Sequence, residues 1–395
     1  MEPKIRFKGF EGEWKAPLFS EMVERISASG QAGMLPGVEF EDIASGEGCF
    51  NKNIYQKECH KYGKLFYEGD ILFGKLRPYL KNIILADFNG VAIGDFWVLR
   101  SKGLDEKYLY TLVNSESFLK VANISSGSKM PRADWNLVST TKFVVPSAKD
   151  EQKAIGKYFT SLDSQISASI SRLASLKQMK TASLQAMFPQ EGETVPKIRF
   201  KGFEGEWKKV KLGDIAKFTK GQGYSKSDLK ETGQPIILYG RMYTKYQFVI
   251  DEVDTFANLK DASILSEGDE IIMPASGETP EDIACASAVL AKDIILGGDL
   301  NIMHFDLTKI STPYIALVIT YSKTHHDLSK CAQGKSVVHL HNGAISRATI
   351  SLPSLAEQQA IASYFTSLDR QISLQSQCLE KLKQIKSACL DKMFV

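Results

Sequence analysis

At 395 residues the chain is longer than one ordinary core requires, and its length points to two or three domains. Its composition, 43% hydrophobic and 24% charged, is that of a globular protein, and no run of about 18 apolar residues exists to cross a membrane as a helix. A formal net charge of only +3 means that any contact with nucleic acid must come from local patches, not from a basic whole.

The chain opens on Pro3 to Lys15, PKIRFKGFEGEWK, and the same thirteen residues return unchanged as Pro196 to Lys208. The stretch Met1 to Trp14 lacks the apolar core of a signal peptide, so a cytoplasmic location is expected. The segment that follows, residues 16–150, mixes short β-branched runs such as Asp70-Ile-Leu-Phe, Lys81-Asn-Ile-Ile-Leu and Val91-Ala-Ile with a helical spacing at Asp105–Asn114. Next comes Glu151 to Phe188, which recurs as Glu357 to Phe394 with 22 of 38 aligned positions identical. Between the copies, PQEGETV (residues 189–195) reads as a polar linker begun by a helix-ending proline. Residues 209–356 repeat the mixed pattern, with strands expected at Pro235-Ile-Ile-Leu-Tyr, Glu270-Ile-Ile-Met and Asp293-Ile-Ile-Leu and a helix at Pro313–Ser322.

The chain is thus a tandem duplication in which the frame is repeated and the contents are not. The two variable segments read as α+β domains. The repeated stretches read as long amphipathic helices, with apolar residues at Ile155, Phe159, Leu162, Ile166, Leu173 and Leu176, matched by Ile361, Phe365, Leu368, Ile372, Leu379 and Leu382. The simplest mate for such a stripe is its own copy. Each helix opens on a serine three residues before a carboxylate, Ser147 with Asp150 and Ser354 with Glu357, the pattern of a capping box.

No catalytic set stands out. GxxxxGK[ST] is absent, and Gly221-Gln-Gly223 is an isolated GxG. Glu13-Trp14-Lys15 and Glu206-Trp207-Lys208 spell a nuclease-like ExK, but an invariant frame is the simpler account. His325, His326, Cys331, His339 and His341 lack the spacing of a metal site and read as polar or stacking side chains on a binding surface, so no metal is expected. The cysteines at 49, 59, 285, 331, 378 and 389 form no CxxC pair and read as reduced thiols. What remains is positive charge interleaved with aromatics. Lys52 to Lys81 carries seven basic and three acidic residues, and Lys75, Arg77, Tyr79 and Lys81 fall on one turn. Lys129 and Arg132 lie on a second small-residue loop; in the second segment the candidates are Lys220, Tyr224, Arg241, Lys245, Lys335 and Arg347. Arginine can grip a guanine edge in two places, and lysine fixes phosphates.

Two divergent segments, each followed by a long helix opening on Val145-Pro-Ser-Ala-Lys-Asp-Glu-Gln-Lys-Ala-Ile or Leu352-Pro-Ser-Leu-Ala-Glu-Gln-Gln-Ala-Ile, resemble the specificity subunit of Type I restriction–modification systems. Gly69-Asp70-Ile-Leu, Gly268-Asp269-Glu-Ile-Ile and Gly127-Ser-Lys-Met-Pro-Arg132 add to the likeness, and Gly334 to His341 departs from it by lacking Pro-Arg. The resemblance implies two target-recognition domains (residues 1–146 and 196–353), separated by two antiparallel, coiled-coil-like helices (147–188 and 354–395) related by a pseudo-twofold axis. It implies a non-catalytic reader of a bipartite, asymmetric site on double-stranded DNA. Two methyltransferase subunits would dock on it, and restriction–translocase subunits would join them. This chain would bind no cofactor; S-adenosylmethionine, ATP and Mg would sit on those partners. The alternatives are a protein-binding repeat scaffold and the specificity module of a self-contained modification enzyme.

If the long helices set the unread spacer, deleting two turns, about seven residues at 3.6 per turn, from both should shorten it while both half-sites survive. Genome-wide mapping of methyladenine reads the spacing, and an unchanged spacer would refute the idea.

Overall fold

The computed structural model describes residues 3–33, 35–57, 59–124 and 130–394. Contacts divide the chain into two compact units, Met1–Leu173 with Leu374–Val395, and Ala174–Ser373. Each long helix therefore starts in one unit and finishes in the other.

In the first unit an antiparallel sheet runs Val23–Ile26, Phe96–Ser101, Ile71–Gly74, Ile83–Leu85. Its central strand is apolar on both faces. Ile71 and Phe73 enter a core shared with the helices Glu106–Val113, Glu116–Ala122 and Trp135–Thr140, while Leu72 enters a second core under the sheet of Ser29–Gln31, Tyr62–Phe66, Gly90–Ala92 and Gly37–Val38. A strand covered on both sides has no polar face, which is why its run reads as unbroken hydrophobic. The second unit repeats the plan. Ile271 and Met273 face one core and Ile272 the other, in a sheet ordered Ala216–Lys220, Leu300–Phe305, Glu270–Pro274, Ser287–Val289, Val249–Ile250. The expected helices are present as Glu106–Val113, capped by Asp105, and Thr312–Tyr321.

The identical opening motif has an identical job in both units. Arg6 grips the carboxylate of Glu151 through Nε at 2.6 Å and Nη2 at 2.9 Å, and its remaining N–H groups donate to the carbonyls of Glu11 and Gly12. Arg199 does the same to Glu357, Glu204 and Gly205. Gly12 and Gly205 sit at φ of 91° and 82°, where a side chain would strain the turn that aims those carbonyls. Trp14 and Trp207, four residues after the Phe-Glu-Gly turns begin, are buried in their cores. The ExK tripeptides are frame, with their central residue packed inside.

The helices span Lys149–Ala186 and Leu355–Met393. Their starts differ from the expected capping boxes. Glu357 N–H does donate to Ser354 Oγ at 3.4 Å, but the Glu357 carboxylate belongs to Arg199. In the first copy Ser147 donates to the Glu13 carbonyl, and the helix begins two residues later. The reason is one extra residue between serine and the Glu-Gln pair, which moves Ser147 out of capping register.

Within each unit the two helices run antiparallel. Asp163 meets Lys386 at 2.6 Å in the first, and Lys180 meets Asp369 at 2.6 Å in the second. Tyr158 hydrogen-bonds Cys389, and Ser183 hydrogen-bonds Tyr364. Ile155, Phe159, Leu162, Ile166, Ile361, Phe365 and Leu368 are buried; Leu173, Ile372 and Leu379 are half-buried. Ile155, Phe159, Ile361 and Phe365 pack into the domain cores as well as along the stripe. At the stripe's midpoint the series turns polar: Gln375 donates to Ser169 Oγ at 2.5 Å, and these are equivalent positions of the two copies. At its far end each helix plugs the other unit's core. Phe188 stacks on Phe365 and packs on Tyr314; Phe394 stacks on Tyr108 and packs on Phe159.

Glu151 is 1% exposed, so losing its guanidinium strands a buried charge. Arg6→Ala should cost the first unit about 3 kcal/mol and Arg199→Ala the second unit a similar amount, read as two separate shifts in chemical denaturation. A loss below about 1 kcal/mol would place the clasp among ordinary surface pairs.

Candidate nucleic-acid interface

In the first unit the chain leaves the central strand at Gly74 and enters a loop built around a single 3-10 turn, Pro78–Leu80. Arg77 and Lys81 flank that turn, both left-handed at φ of 49° and 53°. A non-glycine residue in this region costs about 1–2 kcal/mol, so two in five residues hold the loop in a shape that relaxation would not choose. Arg77 and Tyr79 are exposed, and the Arg77 side chain has no hydrogen bond or ion pair among the described residues. Lys81 lies 3.5 Å from Glu116.

A second strand-like segment closes on this loop. Arg77 N–H donates to the Pro131 carbonyl at 2.8 Å, Ala133 N–H to the Lys75 carbonyl at 2.9 Å, and Leu76 pairs with Arg132. The pairing brings Lys75 and Arg132 to one carboxylate, Asp95, at 3.3 and 2.9 Å. Burial alone would push the Asp95 carboxyl up, but the hydrogen bonds from Arg132 and Lys75 outweigh it and hold it below the usual carboxylate range. At neutral pH these two cations are therefore tethered and oriented rather than loose. Lys129 lies outside the described residues.

The second unit builds the same edge from other side chains. Lys220 ends its strand exposed, and the loop beyond it packs against the turn at Gly298, where Gly298 N–H donates to the Gly223 carbonyl. Tyr224 is not a bare stacking face: its hydroxyl bonds Asn258 and Ser263, and Lys260 Nζ covers its ring at 4.3 Å. Arg241 is turned inward, 9% exposed, with Nη1 on Asp254 at 2.7 Å and Nη2 on Gln247 at 3.0 Å. Lys245 pairs with the same Asp254. These two hold the short helix Arg241–Thr244 in place. Lys335 and Arg347 are exposed.

Three residues of this edge escaped the basic-patch reading. Asp95 is acidic, yet it positions two of the cations. Arg25 caps the ring of Trp135 at 4.8 Å, three residues after Arg132. His339 sits on the strand Val338–His339, paired with Ser276–Gly277, its ring parallel to that of His341 at 6.2 Å. Only the histidines left a sequence signal, their i, i+2 spacing. Among the described residues no three of His, Cys, Asp or Glu are placed to hold a metal.

Residues 204–384 match the family model for the Type I restriction modification DNA specificity domain. The chain is 22% identical over 305 residues to the Type I restriction enzyme MjaVIII specificity subunit of Methanocaldococcus jannaschii, covering 74% of this chain and 70% of that one. It is 24% identical over 120 residues to the Type I restriction enzyme EcoDI specificity subunit of Escherichia coli, covering 29% and 27%. A solved structure, the Type I restriction–modification system S subunit from M. genitalium, shares the fold over 100% of this chain and 99% of its own at a TM-score of 0.64 and 14% identity.

Both Arg77→Gly and Arg77→Ala remove the guanidinium, but only glycine accepts φ of 49° without penalty. Thermal or chemical denaturation should find Arg77→Gly more stable than Arg77→Ala by about 1 kcal/mol. Equal stabilities would mean that the loop relaxes once the side chain is gone.

Proposed function

We propose, from the premise that this chain belongs to the family of Type I restriction–modification specificity subunits, that its two units read the two different halves of one bipartite site on double-stranded DNA. One observation carries the reading. Both units hold a pair of loops by the same backbone hydrogen bonds just past the end of the same strand, Lys75 with Asp95 and Ala133 in the first and Ala275 with Asp299 and Leu340 in the second, while the side chains on those loops differ. A common scaffold with different donors suits two half-sites of different sequence, as paired readers take paired half-sites.

In this reading the first unit contacts base edges through Arg77 and Arg132, which can each donate a fork of two N–H groups to guanine O6 and N7. Lys75 reaches a base edge beside them, Lys81, Lys220, Lys335 and Arg347 fix phosphates, and Tyr79 lies against the sugar–base wall. Asp95 pre-orients the Arg132 fork, which lowers the entropy lost on docking. Arg241 and Lys245 act inside the protein. The chain itself does no chemistry: it positions methyltransferase subunits, and restriction–translocase subunits with them, and the S-adenosylmethionine, ATP and Mg of the reaction sit on those partners.

The decisive measurement maps methyladenine across the host genome with this chain intact, removed or substituted. Arg77→Ala and Lys75→Ala should relax or abolish the first half of the methylated motif, at about 1–3 kcal/mol per lost base contact, and leave the second half readable. Uniform weakening at every sequence would mark the pair as phosphate contacts. A methylation pattern indifferent to the chain's removal would favour a scaffold that binds protein alone.

A further inference from the structure

The Pro-Arg of the first unit has no counterpart in the second by sequence, but it has one in space. In the first unit Lys75, just past the strand end at Gly74, takes the Asp95 carbonyl with its N–H at 2.9 Å and gives its carbonyl to Ala133, with Leu76 opposite Arg132. In the second, Ala275 N–H donates to the Asp299 carbonyl at 2.7 Å, the Ala275 carbonyl accepts from Leu340 at 3.0 Å, and Ser276 stands opposite His339. The inward neighbours agree too: Ala133 and Leu340 are both buried. Position by position, His339 stands where Arg132 stands.

Its surroundings suit a reader. His339 is exposed, and its Nδ1 is tied to Ser276 Oγ at 3.1 Å, which fixes the ring's rotation and leaves Nε2 as the outer edge, with no partner among the described residues. The His341 ring lies parallel to it, 1° off, and the start of the helix Asn342–Ile345 is anchored through Asn342 Nδ2 to the Thr219 carbonyl. The hairpin before it is closed by a reciprocal backbone pair between Gln333 and His339. The counterpart of Lys75 is Ala275, so no second cation competes for the place.

We propose that His339 is the specificity-determining residue of the second unit at the position Arg132 holds in the first, donating one hydrogen bond from Nε2 to an acceptor on a base edge, with His341 as the plate that holds its ring. The assignment rests on the reading of these loops as the DNA-contacting surface. One imidazole N–H replaces a two-pronged guanidinium, so the second half-site should tolerate more bases at that position than the first does at its own.

The test uses the whole chain in its host, with methyladenine mapping after His339→Ala, His339→Gln and, in parallel, Arg132→Ala. The expected result for His339→Ala is about tenfold lower discrimination at one base pair of the second half-site, with the first half unchanged. His339→Gln, which keeps an outer N–H, should retain part of the preference. An unaltered second half-site in both His339 variants, while Arg132→Ala relaxes the first, would overturn the assignment and leave the function standing. Loss of all methylation by His339→Ala with a lowered melting temperature would make the residue structural, and overturn it also. If neither Arg132→Ala nor removal of the chain changed the map, the functional reading itself would fall.

Discussion

The clasp between an N-terminal arginine and a buried glutamate fixes everything else in each unit. Glu151 and Glu357 are each about 1% exposed, so each guanidinium must be delivered accurately, and the turn that delivers it needs two glycines and a buried tryptophan. A buried pair contributes little to net stability but is expensive to break. That asymmetry explains why thirteen residues stand unchanged in both copies while their domains diverged. The clasp also holds the first turn of the long helix against the domain it serves. Gly156, one turn further on, brings the helix so near Tyr108 that a Cβ there would stand 2.6 Å from its backbone nitrogen.

The frame was legible in the sequence because a duplicated constraint writes itself twice. The helices, their apolar stripe and the strands around Ile71 and Ile271 all followed from periodicity. Of the two capping boxes, the second keeps its serine half while Arg199 takes the Glu357 carboxylate, and the first fails because an inserted residue shifts Ser147 out of register. The correspondence between the binding loops was harder still. Equivalent residues lie 200 apart at the strand (Leu76 and Ser276), 204 at the turn (Asp95 and Asp299) and 207 at the returning strand (Arg132 and His339), against 193 for the opening motif and 206 for the helix. Backbone pairing fixes these matches in space, and insertions between the elements hide them in the chain. Arg241 shows the converse: its basic, aromatic surroundings looked like a binding loop, yet Asp254 and Gln247 turn it inward.

The loops divide labour between main chain and side chain. Their positions come from N–H···O bonds to a strand covered on both faces, which any residue can make. Their chemistry comes from exposed side chains that no core contact depends on. A surface built this way can change what it donates without changing where it stands, and the left-handed pair at Arg77 and Lys81 shows that the chain accepts some strain to keep that place.

The plugging of each core by the far end of the other helix bears on how the protein is made. The core of the first unit includes Met393 and Phe394, which follow residues 174–373 of the second. At about 5–20 residues per second, a ribosome adds those intervening residues over roughly ten to forty seconds. Through that interval the nascent first unit carries an open slot beside Tyr108 and Phe159, and Phe188, the near-identical end of the helix just completed, has emerged long before its proper occupant. The core of the first unit is thus completed only once the second long helix has been made.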